Sequence, residues 1–148
     1  MLICFEDLFP ELARRFVQRG ARFLLVITND AWFGPTAAAY QHAQASTFRA
    51  VELRVPVARA ANTGWSGCID ASGRWRGSVR DADGAELFVP GTATCDLATP
   101  SRAGAGGAAG SLYLRWGDWF AWLCIGLTAV YNQRSKRGER PVPRRAAR

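Results

Sequence analysis

Cys4 closes a short apolar run, Leu2 to Phe5, and is followed at once by Phe5, Glu6 and Asp7. In an α/β sheet, ligands and nucleophiles gather at the C-terminal ends of strands. A thiol at such an end, beside the start of a helix, sits where the helix dipole favours negative charge. On its own the thiol carries no assignment, because a lone cysteine in an apolar run is most often a packing residue.

A second group of polar and aromatic residues follows the next apolar run. Asn29 and Asp30 fit a loop held by side-chain-to-backbone bonds, and Trp32 and Phe33 are large enough to wall a pocket or to pack in a core. His42 falls in a helix with no acid nearby in sequence, which favours a structural hydrogen bond over general-base work. Arg49 and Glu52 are three apart on the same helix and compatible with an ion pair. Asn62-Thr63-Gly64 reads as a turn that keeps the backbone close to the site. The cysteines Cys4, Cys68, Cys95 and Cys124 show no CxxC spacing, and His42 has no metal-type partner in sequence. No metal or other cofactor is expected, and the irregular spacing argues against a disulfide framework.

These residues need elements to hold them. Leu2–Phe5 is expected as a strand, and Leu8–Arg19 as a helix with Leu8, Leu12, Phe16 and Val17 on one face and Gly20 as its C-cap. Phe23–Thr28 is a continuous apolar run of the kind covered on both faces. Strand, helix, strand over so short a stretch is a βαβ unit, which makes the two strands parallel. Asn29–Pro35 is then a loop at a strand end, Thr36–Arg54 a second helix and Val55–Ala60 a third strand. Gly67–Asp70 and Trp75–Val79 read as a hairpin around Ala71-Ser72-Gly73. Glu86–Val89 and Thr92–Asp96 could add short strands.

The net charge of +7 is unevenly placed. Residues 132–148 hold seven basic side chains and one acid, whereas residues 1–131 hold twelve basic and eleven acidic ones. The basicity therefore belongs to a tail. Nucleic-acid binding is not expected, because it needs a folded basic face or aromatic interleaving. Ser101–Ser111 is small and flexible in composition, a linker. Leu112–Tyr131 is apolar, with Tyr113, Trp116, Trp119 and Trp122 spaced like an interfacial aromatic belt. With the basic tail after it, this stretch is expected as one transmembrane helix whose C-terminal side faces the cytoplasm.

Ile3-Cys4-Phe5-Glu6-Asp7-Leu8-Phe9-Pro10, Thr28-Asn29-Asp30-Ala31-Trp32-Phe33-Gly34, Gln41-His42, Arg49-Ala50-Val51-Glu52, Arg59-Ala60-Ala61-Asn62-Thr63-Gly64 and Gly117-Asp118-Trp119 occur in that order. Each block is a weak motif, but the ordered series resembles the C-terminal part of the apolipoprotein N-acyltransferases of the nitrilase (carbon-nitrogen hydrolase) superfamily, and it covers most of residues 2–131.

That resemblance implies an α/β fold: a partial nitrilase-like α-β-β-α sandwich over residues 1–100, a linker over 101–111, a transmembrane helix over 112–131 and a cytoplasmic tail over 132–148. It implies that Cys4 is the nucleophile, taking a fatty acyl group from a phospholipid and passing it to the N-terminal cysteine of an apolipoprotein. Glu6 corresponds to a glutamate near the nucleophile. It either positions or polarises the site, or it complements a helix N-terminus. Phe5 stands where the family usually has tyrosine. Phe5, Asn29, Trp32, Phe33 and Asn62 are the implied substrate-binding residues. The implied location is the bacterial inner membrane, with the catalytic domain on the periplasmic side.

Nitrilase-type enzymes also use a glutamate and a lysine that lie before the cysteine. Only three residues precede Cys4 and the only lysine is Lys136. Neither partner can be assigned in this sequence, so the chain is expected to be inactive without an N-terminal part of the same enzyme. The alternatives are a non-catalytic truncated remnant and a soluble nitrilase-like amidase. The tryptophan-rich C-terminal stretch speaks against the second.

Overall fold

The computed structural model describes residues 1–100 and 110–138. Five strands form one mixed sheet in sequence order. β1 (Leu2–Ile3), β2 (Leu24–Asn29) and β3 (Val57–Asn62) are parallel, as the βαβ pattern requires. β4 (Gly67–Ile69) and β5 (Trp75–Ser78) add as an antiparallel hairpin. The register pairs Ile3 with Ile27 and Asn29 with Asn62, so the C-terminal ends of β1, β2 and β3 share one edge of the sheet.

Two helices cover one face. α1 (Pro10–Gln18) starts on a proline, whose fixed φ and missing N–H suit a first helical position. It buries Ala13 and Val17. α2 (Ala37–Leu53) is capped by the Thr36 hydroxyl, which accepts from the Ala38 N–H at 3.3 Å. Its buried face runs Ala39, His42, Ala43, Ser46, Arg49, Ala50 and Leu53, a helical stripe that includes three polar side chains. Leu24, Val26 and Thr28 of β2 point to the helices, while Ile27 on the other face is 45% exposed. The core joins Leu2, Val17, Leu24, Val26, Leu53, Val57, Trp65 and Ile69. Each large side chain buried there contributes roughly 1.5–3 kcal/mol.

Several expectations change. The first strand stops at Ile3, because Cys4–Leu8 winds into a 3-10 turn, and the helix after it begins at Pro10 rather than Leu8. Among the described residues the helices cover one face of the Phe23–Thr28 run, and Ile27 on the other face is exposed. Residues 86–89 and 92–96 are not strands. That segment is tied by the Phe88 N–H to the Thr63 carbonyl at 2.9 Å and by a Cys68–Cys95 disulfide. The disulfide overturns the expectation that these cysteines would not pair. Residues 68 and 95 are 27 apart in sequence but their Cα atoms lie 6.5 Å apart.

The expected single helix over 112–131 is two helices. α3 (Leu112–Trp116) ends at Gly117, which takes φ 60°. It packs within the first compact unit, Met1–Gly117, where Leu114 joins the core. Arg14 caps it, donating to the Leu114 and Arg115 carbonyls at 2.9 Å each. The second compact unit contains α4 (Trp119–Gly138). Its uncharged stretch covers only Trp119–Tyr131, and among the described residues no helix is long and apolar enough to cross a membrane. The expected transmembrane helix over 112–131 is thus without support among the described residues. The expected linker lies outside the described residues except for Gly110 and Ser111, and so does the basic tail beyond Gly138.

Candidate active site

Because β1, β2 and β3 are parallel and in register, Cys4, the Asn29–Asp30 pair and Asn62 are delivered to one edge of the sheet. Cys4 takes φ 53°, a left-handed conformation uncommon for a residue with a Cβ. The chain turns sharply there and leaves the thiol half-buried. The Glu6 carboxylate folds back and accepts from the Ile3 N–H at 2.8 Å, so its observed partner is the backbone just before Cys4. The Asn29 carboxamide oxygen accepts from the Ala31 N–H at 3.2 Å and from the Asn62 side chain at 2.9 Å, tying the ends of β2 and β3.

The aromatic residues divide. The Trp32 indole N–H donates to the Asn29 carbonyl at 2.7 Å, but 77% of the residue is exposed. It stands on the surface of the described chain. Phe5 and Phe33 meet edge to face at 6.2 Å, and each packs on the His42 ring, at 5.0 and 5.8 Å. Together they roof the buried residues beneath.

Those residues form a closed charge cluster. Asp7, in the turn after Cys4, is fully buried. Its carboxylate accepts from Arg59 Nη1 at 2.7 Å, from the Ser46 hydroxyl at 2.7 Å and from His42 Nε2 at 3.2 Å. Arg49 Nη1 donates to the Asp7 carbonyl at 3.1 Å. Asp30 accepts from His42 Nδ1 at 2.8 Å, from Arg59 Nη2 at 3.1 Å and from the Thr28 hydroxyl at 3.1 Å. Arg59 Nη2 also lies 2.9 Å from His42 Nδ1, so the ring is held between two carboxylates and a guanidinium. Burial pushes the His42 pKa down, but the hydrogen bonds to Asp30 and Asp7 outweigh it and raise the pKa to about 9. Burial likewise pushes both carboxyls up, yet the His42 bonds and the Arg59 charge leave Asp7 and Asp30 below their ordinary value.

Cys4, Glu6, Phe5, Asn29, Trp32, Phe33 and Asn62, the site residues expected from sequence, lie at or just after the C-terminal ends of β1, β2 and β3, at one sheet edge. A structural role is expected for His42 from sequence, but Asp30 serves the buried cluster rather than a loop backbone. Sequence reasoning missed Asp7, Ser46 and Arg59. Two signals point to Ser46 and Arg59, and none to Asp7: polar residues at 42, 46 and 49 lie on the buried stripe of α2, and Arg59 is a charge within the apolar part of β3. Arg49 and Glu52 do pair, at 2.7 Å. Gly64 sits where an added Cβ would overlap the Asp30 carboxylate, so the turn after β3 closes against the cluster.

On the sheet face away from the helices, a groove of about 570 Å³ is lined by Leu25, Ile27, Ala58, Ala60 and Asn62, with Gly91–Ala93 along one side. No group of metal-ligating side chains is present among the described residues. The arrangement provides a half-buried thiol on a constrained turn, and the turn is anchored by a buried charge cluster that Phe5 and Phe33 roof. Such a thiol suits covalent acyl chemistry once a base and an oxyanion donor reach it.

Residues 1–94 match the carbon-nitrogen hydrolase family. Over 130 residues, 88% of the chain, it is 46% identical to a protein of Geobacter metallireducens named apolipoprotein N-acyltransferase, of which it covers 22%. Over 139 residues, 93% of the chain, it is 39% identical to a Thermotoga maritima protein of the same name, of which it covers 25%. The chain thus spans about a quarter of the length of these curated relatives. Among solved structures, an amidase of the nitrilase superfamily from Nesterenkonia AN1 aligns with 53% of this chain and 32% of its own, at 26% identity and a TM-score of 0.45.

Proposed function

Since this chain belongs to the carbon-nitrogen hydrolase family, we propose that it is the C-terminal part of an acyltransferase in which Cys4 is the nucleophile. The substrates are those of the relatives' name: an apolipoprotein acceptor and, as acyl donor, a membrane phospholipid. The observation that carries the reading is the left-handed turn at Cys4, at the C-terminal end of a parallel strand.

In the first step the Cys4 thiolate adds to a donor ester carbonyl. The C–O bond then breaks, the alcohol leaves with a proton, and a thioester remains. In the second step the acceptor amine attacks the thioester, the C–S bond breaks, and an amide forms as the amine loses a proton. Burial of the charge cluster beneath Cys4 supports this chemistry by fixing the turn. Glu6 holds the entry to the turn through the Ile3 N–H. Phe5, Phe33 and Trp32 offer apolar surface to an acyl chain, and Asn29 and Asn62 frame the edge of the site. The general base and the oxyanion donor are assigned to no residue of this chain, so turnover is expected only with the remainder of the enzyme. The open sheet face around Ile27 and Ala60 is where the second layer of a nitrilase-like sandwich would pack.

A membrane location has two supports. Phe120, Trp122, Ile125 and Leu127 of α4 are each more than half exposed, which suits a lipid surface. The Cys68–Cys95 disulfide suits an oxidising compartment, such as the periplasmic side of a bacterial inner membrane.

The test is to incubate the 148-residue chain with an activated fatty-acyl ester and map the thioester by mass spectrometry. Cys4 is expected to be acylated in preference to the exposed Cys124, and Cys4→Ala to lose the adduct. Acylation of Cys124 with Cys4 free would overturn the assignment.

A further inference from the structure

We propose that Asp7 is the positioning residue of the Cys4 nucleophile: its buried carboxylate, gripped from α2 and β3, holds the tight turn in which Cys4 takes a left-handed backbone conformation. The inference rests on the reading of Cys4 as nucleophile and adds to it a residue three positions away that never meets the substrate.

A residue with a Cβ stays at positive φ only where its surroundings over-determine it. Of the five residues Cys4–Leu8, Asp7 is the buried one. Besides the 3-10 turn's internal backbone bonds, the turn is held from its own neighbourhood by the Glu6 bond to Ile3 and the Phe9 N–H bond to the Glu6 carbonyl at 3.2 Å. Asp7 supplies what these cannot, which is attachment to the rest of the fold. Ser46 and His42 reach its carboxylate from α2, Arg59 reaches it from β3, and Arg49 takes its carbonyl. Donors arriving from two separate elements fix a carboxylate in three dimensions. An apolar anchor of similar size would be free to slide or rotate, which is one reason for retaining charge in a buried site. The cluster also joins Asp30, so the turn at Cys4 and the loop after β2 are braced by the same Arg59 and His42. A nucleophile displaced by about 1 Å can lose ~100-fold in rate, so such bracing matters to catalysis.

Cys4 and Cys124 are the two free thiols, which gives an internal control. The full chain is treated with iodoacetamide, and the ratio of the two alkylation rates is read by mass spectrometry, natively and in concentrated urea. The wild-type native ratio should differ from the urea ratio. Asp7→Asn, nearly isosteric, should move the native ratio most of the way to the urea value with circular dichroism unchanged. Asp70→Asn, which removes a hydrogen-bonded acid from a distant turn, should leave it alone. A purely structural contribution would lower the melting temperature without changing this ratio. A wild-type ratio equal to that in urea, or an unchanged ratio in a folded Asp7→Asn chain, overturns the proposal.

Should Asp7→Asn not fold, Ser46→Ala removes one donor and keeps the charge balance. A severalfold shift in the same direction is then expected, in line with the loss of one hydrogen bond to a charged acceptor, and no shift overturns the proposal. Failure of the nucleophile reading is distinguishable, because the acyl ester would then show no preference for Cys4 in the wild-type chain, whatever Asp7→Asn does to alkylation.

Discussion

Asp7 and Arg59, 52 residues apart in sequence, meet at 2.7 Å with both side chains wholly shielded from solvent. Removing one partner of a buried pair leaves the other charge uncompensated, which typically costs about 3–5 kcal/mol. Here Arg59 serves Asp7 and Asp30 together, so Arg59→Met strands two carboxylates on His42 alone. Urea unfolding should register a loss in that range. Arg76→Met breaks a pair of the same bond length to Asp70, but that arginine is half exposed, and the change should cost under ~1 kcal/mol. Equal losses in the two variants would mean that the buried cluster is not closed as described.

The same cluster sets a pH dependence. His42 has its pKa raised from 6.5 to about 9 by Asp30 and Asp7. Its contribution is therefore complete below pH 6.5 and is lost as the pH rises through about 9. Asp7 and Asp30 are held below 3.8, so their contribution is present above that value and disappears as the pH falls beneath it. Stability should plateau between about pH 4 and 6.5 and decline by up to ~3 kcal/mol on the alkaline side. The urea midpoint measured against pH checks this, and a flat profile across the alkaline window would sink it. His42 is the sole histidine, so its ring resonance in NMR reports the same titration without ambiguity.

Gly64 should not tolerate a methyl group. An alanine there would overlap the Asp30 carboxylate, which cannot swing away while Thr28, His42 and Arg59 hold it. Overpacking of this kind costs about 1–3 kcal/mol. Thermal unfolding of Gly64→Ala should show the loss. Adding Asp30→Ala should relieve the overlap, so the double variant should be less damaged than the two single losses added together.

The Cys68–Cys95 bond closes a 27-residue separation and fastens the segment after β5 to β4. A crosslink of that span typically contributes about 2–4 kcal/mol. Without reductant, alkylation should reach two thiols, Cys4 and Cys124, and after reduction all four. Limited proteolysis should then cut first near Gly91, once the strap is released. Four reactive thiols in the untreated chain would mean that the bond does not form.

The parallel βαβ start, both main helices and the hairpin were legible because hydrophobic period and turn residues are local signals. Cys4 and the Asn29–Gly34 loop were legible through their place at strand ends and the order of motif blocks. What was not legible is long-range. Nothing near His42 in sequence names Asp7 or Asp30 as its partners, and nothing near Cys68 names Cys95. The 112–131 stretch looked continuous because its apolar residues hide the role of Gly117. At φ 60° this glycine ends α3, and Leu114 turns into the core instead of joining α4.

α4 is expected to bind a membrane surface without crossing it. Its uncharged stretch, Trp119–Tyr131, is thirteen residues, about 20 Å as a helix, against a hydrocarbon core of ~30 Å. Phe120, Trp122, Leu123, Ile125, Leu127 and Val130 are all exposed, and each large apolar side chain gains roughly 1.5–3 kcal/mol on leaving water. Arg134, Lys136 and Arg137 follow directly in sequence, and each basic residue near an anionic surface adds about 1 kcal/mol. Apolar burial and charge thus favour adsorption, while length disfavours spanning. The chain should sediment with vesicles containing anionic lipid and less with neutral ones, and alkaline carbonate should release it from membranes. Leu123→Asp with Leu127→Asp should abolish sedimentation, because two carboxylates replace apolar groups at the depth where the helix would lie. Resistance to carbonate would show instead that α4 inserts across the bilayer, and equal sedimentation of the double variant would show that the apolar face is not the one bound.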